Sequence, residues 1–148
     1  MRGQLLVVCT DTRIEPAVLV EALTQALARD PAGGNVVRVL IPAVLPPTLP
    51  VGAWPAPMAR RLERLQEAAE AVVAAGRAPG RVEIAACRGV ADLLAAAWPV
   101  DALVLVGRAR WRVRRAARGL APDVIVVPSR KSRRRGPLPA SRPKVIPQ

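Results

Sequence analysis

Three short stretches hold the residues able to do chemistry. Thr10, Asp11 and Thr12 close one apolar run, and Gly107 with Arg108 closes another. From 108 to 118, six arginines surround a tryptophan: Arg108, Arg110, Arg112, Arg114, Arg115 and Arg118 with Trp111. Guanidinium groups hold phosphate and carboxylate through charge and paired donors, and an indole stacks on a base or sits at a lipid interface. This set points to binding of an anion. Acid–base and nucleophilic chemistry has far fewer candidates. The chain has no His, Tyr or Phe, its Ser occur only at 129, 132 and 141, and its Lys only at 131 and 144. Residues 1–128 therefore offer no Ser–His or Cys–His pair, no lysine for a phosphate loop or Schiff base, and no histidine metal ligand. Asp11 is placed to serve as a general base. The competing readings of it are a ligand contact or a helix cap, because Thr12-Arg13-Ile14-Glu15 has capping-box spacing. We assign no catalytic residue and no metal site.

The net charge of +12 comes from one end of the chain. Residues 1–107 carry ten arginines and ten acids, whereas residues 108–148 carry thirteen Lys or Arg against Asp123 alone. A neutral body with a basic end selects an anionic partner, with phosphate, nucleic acid and acidic lipid as the candidates. A second cationic run, Arg130, Lys131, Arg133, Arg134 and Arg135, lies in a Pro/Arg-rich stretch with little to bury, so 129–148 reads as a disordered basic tail. Its structural alternative is a solubilising tail, and that of the 108–118 arginines is a solvated helix face. Abundant Ala, Arg, Pro and Gly with little Lys fits high-GC codon usage. That bias accounts for the arginine count but not for its concentration in the last 41 residues. Arginine runs without a base-reading motif contact phosphates and leave sequence unread, so an RNA or DNA partner would be bound non-specifically.

These residues need a scaffold, and the apolar pattern supplies one. Leu5 to Cys9 is a β-type run. From Glu15 or Pro16 to Arg29, Leu19, Leu23, Ala26 and Leu27 recur at helical spacing, and Asp30-Pro31-Ala32-Gly33-Gly34 stops the helix. Val36 to Ile41 reads as a second strand. The proline-rich connection after it, with Pro42, Pro46, Pro47, Pro50, Pro55 and Pro57 and carrying Trp54, is expected to be irregular. Met58, Leu62, Leu65, Ala69, Val72 and Val73 mark the inner stripe of a long helix that stops at Gly76. Arg81 to Cys87 is a third strand, Val90 to Trp98 a short helix with Trp98 packed, and Ala102 to Val106 a fourth strand. Ala109 to Leu120 is helical, with Ala109, Val113, Ala116, Ala117 and Leu120 on one face and the arginines with Trp111 on the other. Val124 to Val127 is the fifth strand. Five mostly apolar strands separated by four helices predict a doubly wound α/β domain over 1–128, with a parallel sheet and right-handed crossovers.

Four segments resemble the universal stress protein family, in the adenine-nucleotide α-hydrolase-like group. Leu6-Val7-Val8-Cys9-Thr10-Asp11-Thr12 is similar to its first strand and closing aspartate. Arg88-Gly89-Val90-Ala91-Asp92-Leu93-Leu94 with the alanines to 97 resembles its glycine-plus-helix segment. Val100-Asp101-Ala102-Leu103-Val104-Leu105-Val106-Gly107 resembles the fourth strand and its glycine, and Pro122-Asp123-Val124-Ile125-Val126-Val127-Pro128 the last strand. The likeness spans residues 4 to 128. It implies a sheet ordered 3-2-1-4-5, with a site outside the strand ends where the order reverses. Thr10, Asp11 and Thr12 then face Gly107 and Arg108. Many relatives bind ATP there through G-x2-G-x9-G followed by Ser or Thr, whose glycines let backbone amides approach the phosphates. Here Gly107 fits the first position, but Arg110 stands at the second, Leu120 and Ala121 replace the last pair, and Gly119 is one place out of register. The implied site is a degenerate one, for an adenine nucleotide or another anion, with binding by the family's ATP mode not expected. The resemblance also implies a homodimer through strand 124–127, whose apolar edge would otherwise invite unwanted pairing.

The first reading is thus a non-enzymatic, universal-stress-protein-like regulatory or stress-associated domain. A second is a nucleic-acid-associated protein acting through helix 109–120 and the tail, and a third a small nucleotide-binding or hydrolysing protein. Cys9 and Cys87 read as core residues on strands kept apart by strand two, without a disulfide. No apolar run reaches the ~18 residues of a membrane span, and the start lacks a signal-peptide cleavage site. The expected location is cytoplasmic.

Overall fold

The computed structural model describes residues 3–29, 35–45, 55–76 and 79–128. They form β1 (Gly3–Cys9), α1 (Pro16–Ala28), β2 (Asn35–Val44), α2 (Ala56–Ala75), β3 (Gly80–Cys87), α3 (Val90–Ala95), β4 (Ala102–Val106), α4 (Trp111–Leu120) and β5 (Asp123–Val127). All four strand pairs are parallel and the sheet order is β3-β2-β1-β4-β5. The chain winds outward from β1 to β3, crosses back to β4 and ends on the opposite edge with β5. This is the expected doubly wound α/β architecture. The expectations for the tail 129–148, including Arg130, Lys131, Arg133, Arg134 and Arg135, and for Trp54 lie outside the described residues.

The pleat sorts side chains onto two faces, and each face has its own helices. Leu5, Val7, Cys9, Val37, Val39, Ile41, Val104 and Val106 pack with Leu19 and Leu23 of α1 and with Leu62, Leu65 and Ala69 of α2. Leu6, Val8, Leu40, Leu103 and Leu105 pack with Val90 and Leu94 of α3 and with Ala117 and Leu120 of α4. A strand buried on both faces must be apolar at consecutive positions, which is why the β1 and β4 sequences lack alternation. Among the described residues, no helix is long and apolar enough to cross a membrane.

Three local expectations are corrected. Pro42 does not start an irregular connection; it lies within β2 and pairs with Ala85. Val37 and Leu45 donate their N–H groups to the β3 side, so the even positions face β1. The β1 ladder stops at Val8–Leu40, so the missing N–H of Pro42 falls just past the last paired rung and breaks no bond within the ladder. Trp98 is not packed but 83% exposed, because the third helix ends at Ala95. Pro99 disfavours helical backbone in the residue before it and pushes Trp98 out of the helical register. The capping box at Thr12 does not form: α1 begins at Pro16 with extended Glu15 as its cap residue and no side-chain cap bond. Pro16 imposes that extended conformation on Glu15, so the helix cannot start earlier.

Candidate functional site

The site lies where the loops after β1 and β4, neighbouring parallel strands, diverge above the reversal in strand order. Thr10 holds the two strand ends together, its N–H donating to Val106 O at 3.0 Å and its hydroxyl to the same carbonyl at 3.2 Å. Gly107 follows in a left-handed conformation with φ of 113°. A Cβ there would lie 2.5 Å from Thr10 Oγ1 and 2.8 Å from Ile14 Cδ1. The glycine is needed for both reasons. Its N–H donates to Val127 O at 2.7 Å and ties this turn to the end of β5. On the β1 side, Asp11 Oδ1 accepts the Arg13 N–H at 2.9 Å, an Asx turn that sets the path into α1.

These turns, with the start of α3 and of α4, enclose a cleft of about 1020 Å3. Thr10, Asp11, Arg13, Ile14 and Glu15 line it from the β1 side, Arg88 to Asp92 from the α3 side, and Arg108 and Arg110 to Val113 from the α4 side. Five guanidinium groups (Arg13, Arg88, Arg108, Arg110 and Arg112) thus share the lining with three carboxylates, Asp11, Glu15 and Asp92. Arg110 is the cap residue of α4, in extended backbone and with no side-chain cap bond. The first-turn N–H groups of that helix have no intrahelical partner and add to the positive field. The cleft can hold an anion by charge and by guanidinium donors.

Of the residues expected in the site, the fold brings Thr10, Asp11 and Arg108 into the lining and sets Gly107 beneath them. Thr12 is buried and does not line the cleft. Arg110 and Trp111 join it, while Arg114, Arg115 and Arg118 stay exposed on the outside of α4. Arg13 and Arg88 are cleft residues that the sequence did not single out, and Arg112, expected only on the anion-binding helix face, lines the cleft as well. Arg88 precedes the Gly89 turn in one of the segments quoted above, and that adjacency was the available signal. Arg88 Nη1 donates to Leu45 O at 3.4 Å.

Neither thiol is poised to react. Cys9 is buried beneath the site, which pushes its pKa up to about 12, and burial also raises that of Cys87; both are free thiols. The ion pairs of Glu83 with Arg38 and Arg81 lie on β2 and β3, where hydrogen bonding from Arg38 holds the carboxyl below its usual range. Among the described residues, no three His, Cys, Asp or Glu side chains group as metal ligands.

No protein-family model and no curated protein matches the sequence. Among solved structures, the chain is similar to the universal stress protein UspA from Lactobacillus plantarum. The identity is 18% and the TM-score 0.46, over 86% of this chain and 99% of that one.

Proposed function

We propose that the chain is a non-enzymatic domain of the universal-stress-protein kind, regulatory or stress-associated, whose nucleotide site has become an arginine-lined anion site. The sheet order and the segments around Asp11, Gly89, Gly107 and Asp123 support the kinship. The observation that carries the anion assignment is the convergence of Arg13, Arg88, Arg108, Arg110 and Arg112 on one cleft at the strand-order reversal. The ligand is a small phosphate-bearing anion, held by direct charge pairing. ATP fits this cleft poorly, because the long side chain of Arg110 stands where a backbone amide would have to approach a phosphate. The state of the candidate groups described supports a binding role: Cys9 is buried with its proton held, the Thr10 hydroxyl bonds to Val106 O, and Asp11 Oδ1 is engaged in a turn.

The same proposal includes a homodimer paired through β5 and a cytoplasmic location. Both β3 and β5 are sheet edges. β3 carries the charged Arg81 and Glu83, which discourage edge pairing, whereas Val124 to Val127 is uncharged. Free cysteines suit a reducing compartment.

Calorimetry tests the site. Pyrophosphate should bind, and Arg108→Gln with Arg110→Gln should weaken it by about ten-fold or more, the range for lost charge-assisted hydrogen bonds. Mg-ATP should bind no more tightly than pyrophosphate. A micromolar ATP affinity that is lost in Asp11→Ala would overturn the reading in favour of a working nucleotide site.

A further inference from the structure

We propose that the outer face of α4 is a docking surface for single-stranded nucleic acid, with Trp111 as the stacking platform and Arg114, Arg115 and Arg118 as phosphate contacts. The helix buries Ala117 and Leu120 against the sheet and half-buries Val113 and Ala116. At ~100° per residue this turns Trp111, Arg114, Arg115 and Arg118 outward as one stripe at i, i+3, i+4 and i+7. All four side chains are exposed, Trp111 to 65%. An indole this exposed at the end of a cationic stripe has no packing role to explain it. The Arg112 guanidinium carbon lies 5.6 Å from its ring centroid, which keeps a cation beside the ring where a stacked nucleotide would carry its phosphate.

Charge names the occupant. Residues 102–122 contain six arginines and no acid. Among the described residues, Glu83 pairs with Arg38 and Arg81, whereas no ion pair is seen at any of the six α4-end arginines. By contrast, the outer side of α2 mixes Arg60 and Arg64 with Glu63, Glu67 and Glu70, the pattern of a merely solvated helix. A stripe of like charges left unneutralised fits a polyanion. From Trp111 to Arg118 the stripe runs about 10 Å along the helix axis, enough to reach neighbouring phosphates of one strand. A stacking platform favours bases that are already unpaired, since a duplex would have to be opened to reach the ring. The phosphate contacts of this surface, Arg114, Arg115 and Arg118, lie outside the cleft lining, whereas Trp111 and Arg112 stand at the boundary that the two share.

Fluorescence anisotropy of labelled oligo(dT) with the full chain, across a salt series, tests the proposal. The full chain also carries seven cations in 130–148, so point variants in α4 isolate the helix. Arg114→Gln/Arg115→Gln/Arg118→Gln should weaken binding about ten-fold or more at low salt and flatten the log–log salt slope by up to about 2, at ~0.7 per lost phosphate contact. Trp111→Ala should weaken it about five-fold or more with the slope unchanged, and Trp111→Phe should restore most of the loss. The same oligonucleotide hybridised to oligo(dA) should bind more weakly. Unchanged binding in the triple Gln variant, with its thermal melt intact, would overturn the proposal and assign any affinity to the tail. Equal affinity for duplex with no effect of Trp111→Ala would overturn it too. So would failure to bind oligo(dT) alongside Trp111-dependent binding to phosphatidylglycerol vesicles, which would make the face a lipid surface.

Discussion

Replacing Gly107 by alanine should destabilise the protein, while the same change at Gly119 should stabilise it. At Gly107 the backbone φ of 113° is one that L-residues rarely adopt. Holding alanine there costs about 1–2 kcal/mol. The added Cβ would meet Thr10 Oγ1 at 2.5 Å and Ile14 at 2.8 Å. Thr10 cannot simply rotate away, because its hydroxyl and N–H both bond to Val106 O. Overpacking of this kind costs about 1–3 kcal/mol. With partial relaxation the total is about 2–4 kcal/mol, or about 5–15 °C in Tm. Gly119 is exposed within α4 and nothing lies within 4 Å of its prospective Cβ. Alanine there should therefore add about 0.5–1 kcal/mol through helix propensity and a less flexible unfolded chain. Urea unfolding of both variants with equal m-values gives the two numbers. If Gly107→Ala lies within about 0.5 kcal/mol of the parent, the left-handed turn and the tight Thr10 contact at the site are refuted.

Other consequences follow from the same structure. Stability should fall as pH rises from about 9 toward 12: burial raises the folded pKa of Cys9 from 9.0 to about 12, so its contribution is full below the unfolded value and lost on approaching the folded one. There is no Tyr, and Lys occurs only at 131 and 144; Cys87 is raised in the same direction, so Cys9→Ala should remove part of this alkaline limb, and a limb unchanged in the variant would contradict the assignment. Val126→Pro should cut dimer formation in sedimentation more than it cuts folding. Gly107 N bonds to Val127 O, so even positions of β5 face away from β4 and the lost Val126 N–H lies on the open edge; a dimer unaffected by this change pairs elsewhere. Glu83→Gln should cost less than about 1 kcal/mol, since its pairs with Arg38 and Arg81 are half-exposed; a larger loss in urea unfolding would mean that the cluster anchors β3.

Periodicity and composition carried the fold. β1 and β4 read as buried parallel strands because Leu5–Cys9 and Ala102–Val106 are apolar at consecutive positions, and α2 read as a helix because its inner stripe repeats at helical spacing. The order 3-2-1-4-5 came instead from the resemblance at Asp11, Gly89, Gly107 and Asp123, since nothing local decides on which side of β1 the fourth strand adds. Pro42 was misread because the rule against proline in a strand depends on where the neighbouring ladder ends, which is a property of the sheet and not of the segment. Trp98 was misread because the helical period was continued past the point where Pro99 forbids it. The cleft was legible at Thr10, Asp11 and Arg108, which sit at strand ends. Arg13 and Arg88 were not, because their convergence with Arg112 of the basic helix depends on how α1, α3 and α4 dock on the sheet.

Native mass spectrometry of the freshly purified protein tests the central claim most directly, since it reads assembly and bound nucleotide together. The expected species is a homodimer that carries no nucleotide and gains mass in pyrophosphate-sized steps when pyrophosphate is added. Protomers that arrive loaded with ATP, or that ignore pyrophosphate while taking up ATP, would contradict it.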